Sequence, residues 1–374
     1  MATVEQIVLE QVVLSDYAVQ ISEDVGDPVW DAFVASIPGG HHVQTSLWGQ
    51  VKGVQGWKAV RVVATREGVV MGGLQLLMRP ISFIGELAYV TKGPLCSTDD
   101  PALLTLILDT LSQICRMNQV QYLIVQPAKD YDWITDHLTQ RGFRATVVEV
   151  APTATILLDL SQSHDDLLKQ MQGQRRRGIQ RSLREKFTVR EGTEADLDTF
   201  YKLHLATSQR HHFDPFPFEY FVQMWKVLRL NGYISMVLSE CQGEAISGLL
   251  LITFGDTATF KVFGWSGLHG SRRPNEAAFW GAIQWAKEHG FRYFDFEGVD
   301  FITARAVLNN QPFPEALRHT PTFFKFAYGG QITLSPLAYD YVFNPLLRLA
   351  FRAISPVIQH RAMLYMIAER LRKR

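Results

Sequence analysis

Apolar and polar residues alternate along the first part of the chain in a pattern that predicts β-strands followed by a helix. The β-rich runs Ala59–Thr65 and Val69–Leu77 are separated by a polar segment that ends at Gly68, which indicates a hairpin. Apolar residues then recur with a helical period across Ala102–Met117. The other elements predicted in this part are strands at Phe83–Val90, Tyr122–Val125, Thr146–Val150 and Ala154–Leu160 and a helix near Trp133–Gln140.

The second part of the chain repeats this order of elements. In both parts, strands precede a helix and another strand follows it, which is typical of a mixed α/β sheet. Two copies of one plan predict a duplicated domain, with the first copy at residues 1–154 and the second at 155–336. The elements predicted in the second part are helices near Glu194–Ser208, Pro217–Leu230 and Asn275–Glu288 and strands at Tyr233–Leu238, Ala245–Ile252, Thr257–Phe263 and Arg292–Phe296.

The remaining segment, residues 337–374, is predicted to pack back on the first domain. From Tyr339 onward its pattern is typical of one or two amphipathic helices, broken at Pro356 and ending in basic residues. An apolar helix face needs a partner, which here is the protein itself, a membrane surface or an RNA backbone.

The composition is that of a folded protein without a net charge strong enough to create a large overall electrostatic field. Hydrophobic residues make up 47% of the chain and charged residues 20%, and the 37 basic residues equal the 37 acidic ones. Such a balance does not draw the whole protein to nucleic acid or membrane. The three cysteines have no CxxC spacing, the first residues lack a signal-peptide pattern, and no apolar run reaches about eighteen residues. We therefore expect a cytoplasmic protein without structural disulfides.

Lys325 is the residue whose surroundings are most unusual. It lies within Pro321–Gly330, a segment aromatic enough to predict a buried strand. An unpaired ammonium group among aromatic rings costs on the order of several kcal/mol unless it finds an anion or loses its proton. Lys325 therefore either extends to the rim of the protein with its stem on the rings, or has a specific role.

A basic segment precedes the second set of strands. Residues 174–186 contain six basic residues and one acidic residue. This run fits a solvated helix face, and it also fits a site for a phosphate-bearing ligand such as a nucleotide, a coenzyme or tRNA. A second basic pair, Arg272 and Arg273, precedes the helix at Asn275. The loop around this pair lacks the RxxGxG pattern whose backbone amides surround the pyrophosphate of coenzyme A, so coenzyme A is disfavoured.

Signatures of metal sites and of nucleophilic catalysis are absent from the sequence. The adjacent pairs His41–His42 and His211–His212 point in divergent directions on a strand or a helix, so neither pair chelates a metal well alone. Both are predicted to be surface or loop histidines. No GxSxG, HExxH or Walker motif occurs, and no metal site is predicted.

Six short motifs follow one another along nearly the whole chain. They are Gln44–Lys52 with Gly56–Trp57, Lys92–Pro94, Leu168–Ile179, Thr207–Arg210 with Glu219–Phe221, Phe294–Val299, and Phe324–Lys325 with Tyr328–Gly330. Together they resemble the FemABX peptidyltransferases, which use aminoacyl-tRNA to add residues to the stem peptide of peptidoglycan precursors. The resemblance implies an α/β fold of two tandem GNAT-like acyltransferase domains with mixed sheets. The family's long coiled-coil insertion is not expected, because no sustained heptads follow Glu194.

The resemblance also implies roles for individual residues. Lys325 and Phe324 fall on the family's catalytic pair. Lys52 falls on a precursor-binding lysine and Tyr220 on a substrate-binding tyrosine, while Trp48 belongs to the same motif as Lys52.

Four positions depart from the family pattern. Phe216 and Phe263 stand where relatives have a substrate-binding arginine and tyrosine, and we keep both as substrate-binding candidates. The change removes a bidentate phosphate clamp and a hydroxyl group, so the acceptor is expected to be held differently. Gln126 and Tyr339 stand where relatives have two carboxylates once considered for acid–base roles.

These implications define the predicted function. The enzyme moves an amino acid from aminoacyl-tRNA to the side-chain amine of a UDP-linked or lipid-linked peptidoglycan precursor, and Lys325 supplies positive charge as the tetrahedral intermediate forms. No cofactor is expected, because aminoacyl-tRNA is the co-substrate. We expect a monomer that contacts the inner face of the membrane through its C-terminal basic helix. The residues predicted to bind tRNA are Arg175, Arg176, Arg177, Arg272 and Arg273.

Two other functions fit the same resemblance. One is an acyl-coenzyme A-dependent N-acyltransferase on the same fold. The other is a non-catalytic relative that binds the precursor or RNA, since fold alone does not establish function.

Overall fold

The structure, a computed structural model, describes residues 16–81, 85–146, 148–185, 187–345 and 348. Its strands form two mixed sheets. In chain order the strands are β1 (Ala18–Ser22), β2 (Lys58–Arg66), β3 (Val69–Ile81), β4 (Gly85–Thr91), β5 (Leu95–Cys96), β6 (Val120–Gln126), β7 (Arg144–Thr146), β8 (Ala154–Asp159), β9 (Thr188–Glu191), β10 (Ile234–Cys241), β11 (Glu244–Phe254), β12 (Thr257–Trp265), β13 (Tyr293–Asp295), β14 (Gln331–Leu334) and β15 (Ala338–Val342). The first sheet has the order β1-β2-β3-β4-β6-β15-β7 with β5 beside β3, and the second has the order β14-β8-β13-β12-β11-β10-β9.

Helices connect these strands. In chain order they are α1 (Pro28–Ser36), α2 (Ser46–Gly53), α3 (Pro101–Met117), α4 (Ile134–Gln140), α5 (His164–Gln170), α6 (Gly173–Arg184), α7 (Leu197–His211), α8 (Phe218–Leu228), α9 (Pro274–Glu288), α10 (Phe301–Leu308) and α11 (Pro321–Phe326). The longest, α3, starts with a proline after Asp100, whose carboxylate accepts a hydrogen bond from the backbone N–H of Ala102 at 2.8 Å. Among the described residues α7 and α8 are 15 and 11 residues long, so neither forms a long coiled coil.

The two sheets are built on one plan. In the first sheet β2, β3 and β4 form an antiparallel meander, α3 crosses over, and β6 pairs parallel with β4. In the second sheet β10, β11 and β12 form the meander, α9 crosses over, and β13 pairs parallel with β12. A parallel pair needs such a crossover, which explains the long helix in each half. The predicted fold class of two tandem mixed α/β units is confirmed.

One strand crosses from the second half to the first sheet. β8, at the start of the second half, lies in the second sheet between β13 and β14. β15 follows the second half in sequence but lies in the first sheet, between β6 and β7. The two halves are therefore tied together by the return of β15 to the first sheet.

The core is shared between the halves as well. One buried cluster joins Trp48 and Val51 of α2 to Phe221 and Met224 of α8. Two further clusters lie within the first and the second half. Because apolar burial is the main favourable term in folding, this shared cluster holds α2 and α8 together and thereby fixes the two walls of a cleft.

Three predicted elements differ from the structure. The segment from Pro321 is a helix, α11, because Pro321 occupies its first position and the Thr320 hydroxyl caps the N–H of Phe323 at 3.5 Å. The strand predicted at Thr146–Val150 ends at Thr146, since the side chain of Gln126 accepts the N–H groups of Val150 and Ala151 at 3.2 and 2.9 Å.

The tail was also predicted wrongly at its start. Residues 339–342 belong to strand β15 rather than to a helix, because their backbone groups pair with β6 and β7 on both sides. The predicted basic helix after Pro356 lies outside the described residues.

Candidate active site

A cleft of about 1110 Å³ is lined by residues of both sheets. Strands β4, β8, β12 and β14 contribute to its walls, together with Trp48 and Lys52 of α2 and the turn after β13. A cleft where two domains meet is a common position for a ligand site.

The amine of Lys325 lies behind one wall of this cleft. Its Nζ donates hydrogen bonds to the carbonyl oxygens of Glu297 and of Gly298, the second at 2.6 Å, and both of these residues line the cleft. Burial lowers the pKa of Lys325 to about 8, while the charge of Glu297 acts in the opposite direction. The prediction that this lysine is set among aromatic rings agrees with the ring of Phe260, 5.6 Å from Nζ.

The turn after β13 aims these two carbonyl groups. Glu297 and Gly298 both have left-handed backbones, with φ of +40° and +68°. The carboxylate of Asp295 holds the turn by accepting the N–H of Glu297 at 2.7 Å, and it also accepts the hydroxyl of Thr155. A glutamate in the left-handed region is strained, and such residues concentrate at functional sites.

Phe324 points into the second half rather than into the cleft. Its ring packs on Phe279 at 5.0 Å and on Tyr328 at 5.4 Å, and the guanidinium of Arg175 covers it at 4.1 Å. These contacts fix α11 and so position its neighbour Lys325.

Lys52 lies on the opposite side of the cleft with three of the predicted substrate residues. Its Nζ donates to the side chain of Gln55 and lies 6.0 Å from the ring centroid of Tyr220. Tyr220 in turn stacks on Phe216 at 4.8 Å, and Trp48 completes the lining. Burial lowers the pKa of Lys52 to about 7, with further contributions from the positive charges of Lys261 and Arg79.

Some residues predicted from the sequence do not line the cleft. Phe263 packs on Phe279 at 5.6 Å in the core of the second half and does not line the cleft. Gln126 is fully buried and donates to the carbonyl of Ala151 at 3.0 Å, so it braces a loop. Tyr339 lies in β15, opposite Val125 of β6.

The four histidines predicted to lie on the surface or in loops differ in their exposure. His41 lies in a loop and is half-buried, whereas His42 begins a short 3-10 helix and is buried, so the prediction is wrong for His42. His42 is 1% exposed and packs edge-on against Trp48 at 4.9 Å, and both His41 and His42 line the cleft. Burial lowers the pKa of His41 to about 3. His211 and His212 are exposed at the end of α7. The described residues hold no group of three or more acidic, histidine or cysteine side chains able to bind a metal.

Four charged residues of the cleft were given no role from the sequence, although Lys92, Asp295 and Glu297 lie within the motifs described above. Lys92 donates to the carbonyl of Pro152 at 3.2 Å and to the hydroxyl of Ser335 at 3.1 Å, and burial lowers its pKa to about 8. Lys261 and Glu297 form an ion pair of 2.7 Å near Asp295. Lys261 lies between aromatic residues of β12, so the reasoning applied to Lys325 would have found it too.

The predicted tRNA-binding arginines divide into two groups. Three are held by acids: Arg175 and Arg273 contact Glu276 at 2.9 and 3.6 Å, and Arg272 contacts Glu185 at 2.7 Å. Arg177 is exposed, as are Arg181 and Arg184 further along α6. Arg176 is half-buried and donates to the carbonyl of Lys169 at 3.4 Å.

The start of α9 is the place where an acyltransferase fold with coenzyme A would bind pyrophosphate. Here the buried Glu276 occupies the first turn and pairs with Arg175. Helix α6 packs so close that a Cβ atom on Gly178 would lie 3.1 Å from the side chain of Glu276. The carboxylate of Glu276 therefore occupies the positive end of α9, the position at which a pyrophosphate would bind.

Comparison with known proteins places the chain in a family. Residues 27–240, more than half of the chain, match the FemAB family. The chain belongs to this family. The match confirms the predicted family and with it the predicted class of enzyme, an aminoacyltransferase of the FemABX type.

Individual relatives agree with this membership. The chain is 21% identical to a protein named lipid II:glycine glycyltransferase from Staphylococcus aureus, over 87% of this chain and 94% of that one. The crystal structure of FemX superposes with a TM-score of 0.76 at 19% identity, covering 90% of this chain and 99% of that chain. A tandem GNAT protein from the clavulanic acid biosynthesis pathway shares the fold with a TM-score of 0.51 at 12% identity, covering 88% and 99%. In the described part of this chain, no helix has the length and apolar character to cross a membrane.

Proposed function

We propose that this FemAB family member transfers an amino acid from aminoacyl-tRNA to an amine on the stem peptide of a peptidoglycan precursor. The observation that carries the proposal is one cleft with a half-buried lysine on each side, Lys325 behind one wall and Lys52 on the other. Family membership and the relative named for lipid II support the choice of a peptidoglycan precursor.

Lys325 is the residue that acts on the aminoacyl-tRNA donor in this proposal. An aminoacyl ester is already activated, so the protein needs to hold two substrates together and stabilise the negative oxygen that forms in the transition state. Lys325 has three donors, and two of them bind the carbonyls of Glu297 and Gly298. The third is left for the ester carbonyl oxygen. No cofactor takes part in this scheme.

The acceptor side falls to Lys52, Tyr220 and Trp48. Lys52 provides positive charge for the precursor's phosphates, and the two aromatic side chains supply surface for its sugar or base. Phe216 stacks on Tyr220 where relatives have an arginine, so phosphate binding in this chain depends more heavily on Lys52.

The RNA surface is best placed on the outer side of α6. Arg177, Arg181 and Arg184 are exposed and recur at intervals of four and three residues, so they share one face. The first residue of α6 follows Gln172, whose N–H donates to the carbonyl of Ala327 at 3.0 Å, just beyond Lys325. The face of α6 that carries these three arginines, here called the arginine stripe, therefore starts beside α11, the helix that carries Lys325. It extends from there along the outer side of α6.

The proposal is tested by incubating the full chain with a mixture of radiolabelled aminoacyl-tRNAs and peptidoglycan precursors. Nucleotide-linked and lipid-linked precursors are supplied in separate reactions, and the label on the precursor identifies both amino acid and acceptor. We expect transfer to one precursor form. Transfer from acyl-coenzyme A alone, or binding of the precursor without any turnover, would overturn the proposal.

Contact with the membrane is a separate part of the proposal. The basic segment after Pro356 is proposed to bring the protein to the bilayer that carries a lipid-linked precursor. Sedimentation with anionic liposomes, with and without that segment, tests it. Equal sedimentation of both forms would show that the segment does not serve this purpose.

A further inference from the structure

The ion pair between Glu297 and Lys261 lines the cleft. The carboxylate of Glu297 lies 2.7 Å from Nζ of Lys261, and both residues line the cleft with side chains 21% and 22% exposed. Nζ of Lys261 lies 5.7 Å from the ring of Trp48 in the first half. The carboxylate is therefore reachable by a ligand that occupies the acceptor side.

The backbone of Glu297 also contacts Lys325, the residue proposed to act on the aminoacyl-tRNA donor. Its carbonyl oxygen accepts a hydrogen bond from Lys325, so one residue presents a carboxylate to the cleft and holds the catalytic amine. Its backbone is left-handed, with φ of +40°, a conformation that glycine adopts more readily than glutamate. A side chain retained at such a position points to a role for that side chain.

The reaction of an amine with an ester requires a group that accepts a proton, and the residues discussed above leave that role unfilled. Among the nearby carboxylates, Asp295 is engaged by Thr155 and by the N–H of Glu297, and Glu149 accepts the hydroxyl of Thr153. The carboxylate of Glu297 accepts a hydrogen bond from the side chain of Lys261. Glu297 is thus the carboxylate best placed to receive a proton.

We propose that Glu297 is the proton acceptor of this transferase, with Lys261 holding its carboxylate in place. The proposal rests on the proposed function. The nitrogen of the neutral acceptor amine forms a bond to the ester carbonyl carbon, and the electron pair of the C=O double bond moves to oxygen beside Lys325. One proton passes from nitrogen to Glu297. The C–O bond to the tRNA ribose then breaks, the carbonyl re-forms, and the ribose oxygen takes the proton from Glu297, so the carboxylate is restored.

The charges around the pair help the incoming amine to lose its first proton. Lys261 and Lys92 line the cleft and Lys325 lies directly behind its wall, and like charges disfavour an ammonium ion. The negative charges of Glu297 and Asp295 offset the electrostatic repulsion among these lysines.

The first test replaces the side chain without changing the backbone. In Glu297→Gln the amide keeps the shape but accepts no proton, and we expect kcat to fall about 10²- to 10⁴-fold with little change in KM for either substrate. Glu297→Gly suits the left-handed backbone, and we expect added formate to restore part of its rate. Glu288→Gln, a change at an exposed glutamate at the end of α9 that does not line the cleft, is the matched control and should leave the rate unchanged. A rate for Glu297→Gln within about threefold of wild type would overturn the inference.

A double variant separates proton transfer from simple charge balance. If Glu297 only neutralises Lys261, then Glu297→Gln combined with Lys261→Gln should recover the rate lost in the single variant. We expect no recovery, because the proton acceptor is still missing. Recovery to near the wild-type rate would overturn the inference and leave the proposed function standing.

The proposed function fails separately. If the wild-type protein uses acyl-coenzyme A in place of aminoacyl-tRNA, the proposed function is wrong, but the same variants still report on proton transfer, because any acylated amine must lose a proton. A wild-type protein that acylates no amine with either donor would overturn both.

Discussion

The amine of Lys325 lies 2.6 Å from the carbonyl oxygen of Gly298, and this contact attaches α11 to the turn after β13. The turn lines the cleft while α11 packs behind it, so the lysine is held between two elements that lie 27 residues apart in sequence. Its charge is desolvated but not unpaired, which is the condition under which a cation interacts most strongly with a developing anion.

Replacement of Lys325 should therefore affect the rate far more than substrate binding. Groups that stabilise a developing oxyanion contribute roughly 3–4 kcal/mol, so Lys325→Ala should lose a hundredfold or more in kcat. Lys325→Arg should be nearly as slow, because a planar guanidinium does not match a site built for a compact ammonium. Single-turnover transfer from bound aminoacyl-tRNA measures the effect.

Lys287 provides the matched control for that experiment. Its amine also donates to two carbonyl oxygens, those of Leu160 and Gln162 at 2.5 and 2.9 Å, and it does not line the cleft. Lys287→Ala should lower stability while leaving the transfer rate intact. Similar rate losses in both variants would mean that Lys325 serves only to hold the backbone.

The pH dependence of acceptor use should follow Lys52. Its pKa is lowered from 10.5 to about 7, chiefly by burial, so the side chain is charged below pH 7 and neutral above it. If the charge binds phosphate, kcat/KM for the precursor should fall as pH rises through about 7, since this ratio reports the groups of the free enzyme. Lys52→Met should lose about ten- to a hundredfold in kcat/KM, the value of a hydrogen bond to a charged group, and its profile should lack this limb.

Stability should change in the opposite direction over the same range. A lysine with a lowered folded pKa binds fewer protons in the native state than in the unfolded state between about pH 7 and 10.5, so its unfavourable contribution to folding diminishes as pH rises. Loss of activity above pH 7 is therefore not explained by unfolding through Lys52. A profile for the wild type that stays flat up to pH 9 would contradict the assignment.

The elements predicted correctly from the sequence are those whose apolar residues repeat regularly over a short stretch of the chain. The hairpin of β2 and β3 and the long helices α3 and α9 were found because their apolar residues repeat regularly and their ends carry turn or capping residues. β15 was missed because its four-residue core, Tyr339–Val342, becomes a strand only when β6 and β7 are present on both sides. Tertiary pairing decided its structure, and local propensity did not.

The same distinction applies to the site. Lys325 was recognisable because an amine within one aromatic segment is a local anomaly. The partnership of Lys261 with Glu297 was not, because the two residues are 36 positions apart and meet only after β12 and β13 have paired. The ion pairs that hold Arg175 and Arg272 could not be predicted for the same reason, so the sequence alone did not separate ion-paired arginines from freely exposed ones.

Aminoacyl-tRNA should lose affinity and salt sensitivity when the outer arginines of α6 are removed. The triple change Arg177→Gln, Arg181→Gln and Arg184→Gln removes three exposed charges, and each phosphate contact contributes about 0.7–0.9 to the slope of log K against log salt. We expect KM for tRNA to rise and the slope to decrease by about 2, with kcat at saturation nearly unchanged.

A control triple removes the same charge elsewhere. Arg116, Arg144 and Lys226 are exposed on α3, β7 and α8, and their replacement by Gln should leave the salt slope unchanged. Equal effects of the two triple variants would indicate dependence on net charge alone. Loss of liposome binding in the α6 variant, with unchanged tRNA affinity, would assign the stripe to a membrane instead.

Unfolding should occur in one transition, because the return of β15 to the first sheet ties the end of the second half to the first half. The hydroxyl of Tyr122 in β6 donates to the carboxylate of Asp340 in β15 at 2.7 Å, so this bond reports directly on the pairing of β15. Tyr122→Phe should lower the free energy of unfolding by about 1.5–3 kcal/mol, the range for a hydrogen bond to a charged group. Urea denaturation followed separately by tryptophans of each half should show the same lowered midpoint for both. A lower midpoint in the first half alone, or two separate transitions in the unaltered protein, would mean that the halves unfold independently despite the return of β15 to the first sheet.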